Sequence, residues 1–413
     1  LKLLKIWPGK AAKKCVYNSA LKSPMMTPIY LDHNATTAVH PAVVDAMLPW
    51  LTQHYGNPSS VHWAGRAANA ALEKAREQVA RLLNASVSDI IFTSGGTEGD
   101  NFAIKGTALQ RAEQGRHLIT TAVEHPAVLE TCRALERQGW QVSYLPVDSQ
   151  GNLDLAQLES NIQPQTQLIS VMWANNEIGN IYPLAEISVI AKARGVCLHS
   201  DAVQVAGRLP IDVQATGLDL AVISGHKFGA PKGVGALFVK SGNRLEPLMH
   251  GGSQERHRRG GTSNLASIVG LGKACELAGV EMQQNAVHVA QLRERLQQGI
   301  RRGIRGVFFH GAQQSDHRLP NTLNASFAGI SGESLLMSLD LKGIAVSSGS
   351  ACSSGSLEAS HVMTALGVAP QLAQSSIRFS LGPTNTAAEI DYVIDELAAA
   401  VSRLRQISPF ENF

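Results

Sequence analysis

The sequence is poor in aromatic residues, at 5% of 413 residues, and its five tryptophans show no periodicity that would build a nucleic-acid stacking surface. Its charges nearly cancel. The 36 basic and 33 acidic side chains leave +3, which gives no electrostatic reason for nucleic acid to be a main partner. Cysteine is scarce and unpatterned. Cys15, Cys132, Cys197, Cys275 and Cys352 are odd in number and include no CxxC pair. A disulfide framework or a zinc knuckle is therefore not expected, and a reducing compartment, the cytoplasm, is. No run of about 18 apolar residues occurs, so no membrane span is expected. Residues 1–25 lack both arginine and acids but hold Lys2, Lys5, Lys10, Lys13, Lys14 and Lys22. That stretch has neither a secretory apolar region nor the arginines of a transit peptide. It reads as an unfolded extension ahead of a start at Met25 or Met26, with a basic targeting or surface-binding tail as the alternative.

What is present is glycine, 37 residues of it, in a chain that is 44% hydrophobic. Such a chain can bury a large core and more than one domain. Glycine-rich, aromatic-poor composition suits an α/β enzyme with many tight loops. From residue 65 the pattern alternates. Helical spacing over 67–83 leads to a strand at 89–93. Strands follow at 117–121, 141–147, 167–173, 196–200, 218–224 and 234–239, with helices at 127–138, 153–161 and 184–194 between them. Strands alternating with helices predict a mixed, mostly parallel sheet covered on both faces. The short GAPKG loop before 234 cannot make a crossover, so the last pair is expected to run antiparallel. Beyond about residue 285 an amphipathic helix over 287–302, strands at 321–327 and 376–380 and a helix over 386–405 predict a smaller α/β domain.

Several polar groups fall where strands end, the place where open α/β sheets bind ligands. Ser94-Gly95-Gly96-Thr97 leads into a helix, whose free N–H groups suit a phosphate, though such a run also makes an ordinary helix start. Asp201 follows one strand and Lys227 another, with Ser224 and His226 beside it. On spacing alone the two are equally a structural ion pair or a site with an amine activated by desolvation. Cys132, Cys197 and Cys275 fall in helix or strand patterns and read as packing. His33 lines a pocket or is a satisfied structural histidine. The His- and Arg-rich run 250–259 reads as a loop near the phosphate, since a metal site there lacks further ligands.

The runs LDHNATT (31–37), YGNPSSVHWAGR (55–66), FTSGGTEGDN (92–101), EHPAV (124–128), NNEIG (175–179), HSDAVQ (199–204), SGHKFGAPKG (224–233) and SSGSACSSGS (347–356) resemble the cysteine desulfurases. These are class V, fold-type I pyridoxal-phosphate enzymes of the nitrogen-fixation and iron–sulfur-cluster type. The resemblance runs in order from about residue 29 to about residue 405. It implies the aspartate-aminotransferase-like fold, with a large cofactor-binding domain over 37–284. A small domain would be built from 26–36 plus 285–413 and carry the catalytic cysteine loop.

The resemblance also implies roles. Lys227 would hold pyridoxal 5'-phosphate as a Schiff base and move the substrate's α-proton. Asp201 would partner the pyridine nitrogen and keep it protonated. Gln204 would hydrogen-bond the ring's phenolic oxygen, and His125 would stack on the ring and help move protons. Asn176 would lie beside ring and substrate. Gly96, Thr97, Ser224, His226 and Thr262 would bind the phosphate, Thr262 from the neighbouring subunit of a homodimer. Asn34 and Arg378 would bind substrate, Arg378 by gripping its carboxylate. Cys352, in a loop of serines and glycines suited to movement, would attack the sulfur of L-cysteine as a thiolate. It would become a persulfide and release alanine. The persulfide would pass to a sulfur acceptor or an iron–sulfur scaffold protein. No resident metal is expected, although Cys352 could ligate an iron–sulfur cluster in transit. Nitrogen-fixation and housekeeping roles stay open. Competing readings are a selenocysteine lyase, another class V enzyme such as a small amino-acid aminotransferase, and a non-catalytic scaffold or sulfur-relay partner. The Cys352 loop argues against the aminotransferase.

Overall fold

The computed structural model describes residues 28–348 and 359–408. The expected 1–25 extension and Cys352 lie outside the described residues. The chain enters through β1 (Ile29–Tyr30) and passes to α1 (Pro41–Thr52) and α2 (Trp63–Leu83). α1 begins at a proline, where a missing N–H costs nothing, and the Nδ1 of His40 accepts from the Ala42 N–H. α2 ends at Asn84, whose φ of 51° closes the last turn in a left-handed cap.

The alternation then runs β2 (Ile90–Thr93), α3 (Gly96–Arg111), β3 (His117–Thr121), α4 (Pro126–Glu136), β4 (Gln141–Leu145), α5 (Leu155–Ser160) and β5 (Thr166–Ser170). It continues with α6 (Leu184–Ala193), β6 (Cys197–Asp201), α7 (Val213–Thr216), β7 (Leu220–Ser224) and β8 (Gly235–Val239). These strands form one seven-stranded sheet in the order β2-β8-β7-β6-β5-β3-β4. The pairs from β7 to β4 are parallel, while β8 runs antiparallel to both β7 and β2. The short GAPKG return thus does what its length dictates. Alternate residues feed opposite faces. Phe92, Ile119, Ile169 and Leu198 enter one core, and Ile91, Leu118, Leu168 and Cys197 the other. Helices cover both faces, so the inner strands are buried throughout, and only the edge strand β4 is partly open.

After α8 (Gln254–His257) comes α9 (Leu265–Gly303), a helix of 39 residues. The sequence pattern gives an amphipathic helix over 287–302 and a helical stretch around Cys275, and the structure joins them into one helix that runs through Gly270, Gly272 and Gly279. Two of these glycines are contact points. A Cβ on Gly270 would meet Met47 Sδ at 2.7 Å, and one on Gly272 would meet Gln78 Oε1 at 2.5 Å. Their small size lets α1 and α2 lie close against α9, and that packing offsets the helix-propensity cost of about 1 kcal/mol per glycine. The helix crosses the 284/285 position at which the sequence pattern changes.

The rest comprises β9 (Val307–His310), β10 (Thr322–Phe327), α10 (Gly332–Asp340), β11 (Ile344–Ala345), β12 (Ser347–Ser348), α11 (His361–Ala365), α12 (Pro370–Gln374), β13 (Ser376–Ser380) and α13 (Ala387–Gln406). β12, β13, β10 and β9 make an antiparallel sheet, and β1 pairs in parallel with β11. A separate core gathers there around Leu296, Leu323, Phe327, Phe379 and Leu397. α13 starts with a capping box in which Thr386 and Glu389 satisfy each other's backbone N–H.

Candidate active site

The carboxyl ends of β2, β3, β5, β6 and β7 lie at the same end of the sheet, and candidate polar residues fall at or just beyond each of them. Lys227 lies in the single turn of 3-10 helix, Gly225–Lys227, that follows β7. Its Nζ donates to the backbone carbonyls of Asn34 (2.6 Å) and Ala35 (2.9 Å). The 34–37 segment is tied back to the same turn, since the Thr37 N–H and Oγ1 both donate to the His226 carbonyl. His226 Nδ1 lies 3.1 Å from Thr36 Oγ1, and burial and the Lys227 charge pull its pKa down to about 4.

Asp201 is the last residue of β6, and its Oδ1 accepts the Val203 N–H at 2.8 Å. Two further carboxylates, Asp100 and Glu124, are buried with it. Burial raises all three pKa values. Glu124 reaches about 8 despite accepting from the Met172 N–H and the Thr121 hydroxyl. Asp100 is pushed well up by burial and by the charges of Asp201 and Glu124. Asp201 rises to about 6, because the Val203 N–H and the Lys227 charge oppose the burial effect. The Val203 N–H and the Lys227 charge thus favour the ionised form of Asp201, whereas the charges acting on Asp100 oppose its ionisation.

His125 caps α4, with its Nδ1 accepting the Ala127 N–H at 3.1 Å. Burial and the charges of Lys227 and His361 lower its pKa to about 4. It is a neutral imidazole with its proton on Nε2, a tautomer assigned from the Nδ1 contact.

The Gly95–Thr97 turn has the build of an anion cradle. Gly95 has φ +150°, and no side chain caps the N-terminus of α3. A Cβ on Gly96 would meet Val203 Cγ2 at 2.9 Å, so glycine is what allows the turn to approach β6. The Ser224 side chain lies beside the turn, with its Oγ 3.7 Å from where a Cβ on Gly95 would be, and among the described residues it makes no side-chain hydrogen bond. Thr97 is exposed. Thr262 is also exposed and lines a cavity of about 190 Å³ with Thr93, Ser94, Glu255 and Arg259.

The 250–259 run holds an unusual turn in which Glu255, Arg256 and His257 have φ of 46°, 58° and 65°. Such a run of left-handed non-glycine residues persists only where its surroundings hold it. Here Arg76 grips the Glu255 carboxylate with two N–H groups, at 2.6 and 3.0 Å, and the Phe92 N–H adds a third bond. Arg259 pairs with Glu98, which also accepts the Ser94 N–H.

Arg378, on β13, is buried. It donates to Asp32 Oδ1 at 2.7 Å and to the Asn176 carbonyl at 3.1 Å, while its Nε keeps no partner among the described residues. The Asn176 side chain makes no hydrogen bond among them either. Asn34 departs from the substrate-binding expectation. Its Nδ2 donates to the Asn176 carbonyl and to Thr322 Oγ1, and its Oδ1 accepts from Asn321. Both N–H groups are thus spent on the framework, and Asn34 meets the site through its backbone carbonyl. The segment containing Cys352 leaves from β12, whose Ser347 pairs with Arg378. Just past the segment, Ser360 donates to Glu177 Oε2 (2.6 Å) and His361 bonds the Glu124 carbonyl (2.8 Å). Both flanks of the cysteine segment are thus anchored, one beside Arg378 and the other on Glu177 and Glu124.

Residues 29–393 match the family described as aminotransferase class-V. The chain is 48% identical over 388 residues to cysteine desulfurase IscS of Dictyoglomus turgidum, covering 94% of this chain and 98% of that protein. It is 50% identical over 387 residues to a cysteine desulfurase of Nostoc sp., covering 94% and 96%. The chain belongs to the cysteine desulfurases of the class-V aminotransferase family. Solved structures agree. A NifS-like protein superposes with a TM-score of 0.86 at 39% identity, covering 92% of this chain and 100% of the other. The apo cysteine desulfurase from Thermococcus onnurineus NA1 gives 0.82 at 25% identity, covering 91% and 95%.

For this desulfurase the sequence pattern located the strand-end residues but missed what holds them. Asp32, Glu177, Arg208, Glu255 and His361 all bond to the site or its supports. Asp32, Glu177 and Glu255 stand within quoted runs or beside recognised candidates, and that proximity was their only signal. Arg208 and His361 carry none. Cys132, Cys197 and Cys275 are buried, and burial raises their thiol pKa values, to about 12 for Cys132 and Cys197. They remain thiols, which suits packing.

Proposed function

We propose that this enzyme removes sulfur from L-cysteine with pyridoxal 5'-phosphate, leaving L-alanine and a persulfide on Cys352. The observation that carries this is the convergence of Lys227, Asp201, the neutral His125 and the uncapped Gly95–Thr97 turn at the carboxyl ends of the strands. Arg378 lies on the strand paired with the flank of the cysteine segment. The donor set fits the cofactor. Lys227 would carry it, Asp201 would face its ring nitrogen and Gln204 its phenolic oxygen. Gly96, Thr97, Ser224 and His226 would hold its phosphate, with Thr262 reaching in from a second subunit.

When bound, this cofactor supplies an electron sink for charge developing at the substrate's α-carbon. Asp201, ionised, would keep the ring nitrogen protonated. Arg378 would take the substrate carboxylate on its unspent N–H edge, beside the Asn176 amide. Lys227 would accept the α-proton and return it to the carbon fragment. His125, neutral, presents an N–H donor at Nε2. The Cys352 thiolate would attack the substrate sulfur. A sulfur–sulfur bond forms as the carbon–sulfur bond breaks, and the electron pair stays with the carbon fragment, which takes up protons and leaves as alanine.

The persulfide would pass to a sulfur acceptor or an iron–sulfur scaffold protein, in a cytoplasm that keeps thiols reduced. Among the described residues no helix is long and apolar enough to cross a membrane. A homodimer is supported by four large apolar side chains exposed between residues 51 and 63, Leu51, Tyr55, Val61 and Trp63, at 67%, 88%, 89% and 71%, since clustered exposed apolar area marks interaction surfaces.

The test is to incubate purified protein with L-cysteine and a reductant and measure sulfide and alanine. Equal amounts of the two are expected. Alanine without sulfur release, or a keto acid as the main product, would count against desulfuration. Cys352→Ser should keep the bound cofactor's visible absorbance and lose persulfide, read by mass spectrometry. Sulfide release at the original rate would refute the assignment of the nucleophile.

A further inference from the structure

We propose that Arg208 is a positioning residue that locks the Gln204 amide so that its N–H edge, and not its oxygen, faces the cofactor. The inference rests on the placement of Gln204 at the cofactor's phenolic oxygen. Gln204 is buried in the turn that follows β6. Arg208 sits four residues further on and donates through Nη1 to both the Gln204 carbonyl, at 2.9 Å, and the Gln204 side-chain Oε1. Its Nη2 donates to the His33 carbonyl at 3.0 Å. On the other side, Gln204 Nε2 donates to the Asn34 carbonyl at 3.1 Å.

These contacts leave the amide one orientation. A guanidinium can only donate, so the atom facing it must be the oxygen. A backbone carbonyl can only accept, so the atom facing Asn34 must be the nitrogen. Turning the amide over would set donor against donor and acceptor against acceptor, and lose both bonds. The second Nε2 hydrogen remains for a ligand oxygen. Arg208 also holds, through the His33 carbonyl, the 33–35 turn whose Asn34 carbonyl takes both Gln204 Nε2 and Lys227 Nζ.

The hydrogen-bond partners of Arg208 among the described residues are three uncharged oxygens. Its charge is not spent on an ion pair, and what the guanidinium supplies is a rigid fork. The charged and titratable groups around the pair are Lys227 and His33 on the Asn34 side, Arg378 with Asp32, and Asp201 at the end of β6. None of them bonds Gln204 Oε1.

The full-length enzyme loaded with pyridoxal 5'-phosphate is titrated, and the midpoint of its visible absorbance against pH is recorded for the wild type, Gln204→Leu, Arg208→Met and the double variant. An N–H donor favours the deprotonated form of the cofactor, so losing it raises the midpoint. Gln204→Leu is expected to raise it by about one unit, and Arg208→Met to raise it by a smaller amount. In the Gln204→Leu background Arg208→Met should add nothing, because both act through the same hydrogen bond. Arg208→Lys, which keeps the charge without the fork, should fall between the wild type and Arg208→Met. It carries the same comparison if the methionine variant fails to fold.

An Arg208 shift that adds in full to that of Gln204→Leu would overturn the proposal. So would an unmoved midpoint in both Arg208 variants when Gln204→Leu does move it. If Gln204→Leu itself leaves the midpoint unchanged, the placement of Gln204 falls and this inference falls with it.

Discussion

Arg378 shows how one side chain can serve several partners at once. Its guanidinium holds Asp32 and the Asn176 carbonyl, and its Nε is uncommitted. Planarity lets it keep these contacts and still offer an edge to a carboxylate, whereas a lysine ammonium is a single point charge. Arg378→Lys should therefore raise KM for L-cysteine roughly 10- to 100-fold, the loss expected of a charge-assisted hydrogen bond, with little change in kcat. Steady-state kinetics decide this, and a fall in kcat at constant KM would contradict it. Residues such as Lys227, Asp201 and His125 were legible in the sequence because each follows an apolar strand run inside a recognisable motif. Arg208 was not, because a lone arginine after a strand reads the same whether it faces solvent or an amide. For Asn34 the sequence offered a candidate but not the partners of its amide, Thr322, Asn321 and Asn176, which are distant in sequence.

Elements decide how close those residues come. The turn between β2 and α3 reaches β6 only because position 96 lacks a Cβ, and the atom that would be struck, Val203 Cγ2, belongs to the residue whose N–H holds Asp201. Gly96→Ala must displace one or the other. Strain of this kind costs about 1–3 kcal/mol, so affinity for pyridoxal phosphate should weaken about tenfold, measured by titrating the apo protein and following absorbance. Unchanged affinity would show that this turn does not hold the phosphate. The same physics explains the element read least well from sequence. α9 extends N-terminal to the expected 287–302 because its glycines receive α1 and α2. Whether a glycine breaks a helix or admits a neighbour depends on the neighbour, which sequence periodicity does not contain. Strand limits, by contrast, fell within a few residues of the apolar runs, since a strand buried on both faces has little choice of residue.

At the scale of the whole molecule, packing sets both pH response and assembly. Glu124 is sealed in the core, where burial raises its pKa from 4.5 to about 8. The folded state therefore holds this proton more tightly than the unfolded chain. The resulting stability is fully present below about 4.5 and is lost as pH rises through about 8. The apo protein should show a falling melting temperature as pH rises from about 5 to about 8, levelling above that, and Glu124→Gln should flatten the decline. A wild-type melting temperature that stays level across the window would refute it. The proposed homodimer would depend on the opposite surface property, exposed apolar area. Trp63→Glu should weaken self-association roughly 30-fold or more and release cofactor, because Thr262 would no longer reach a neighbouring phosphate. Sedimentation velocity with and without pyridoxal phosphate tests both effects, and an intact dimer would move the interface elsewhere.

The sequence by itself determined the mixed, mostly parallel sheet and the short antiparallel return, because strand periodicity and loop length leave few alternatives. It also determined the family, because ordered motifs carry the chemistry as well as the fold. Only the tertiary structure decided which carboxylates are buried together and which arginine meets which amide. It alone decided which glycines are contact points and which carbonyls receive Lys227. Those properties depend on what lies within about 3 Å of an atom, and in this chain the atoms that close come from segments as far apart as Leu31 and Ser380, whose carbonyl and N–H meet at 2.8 Å.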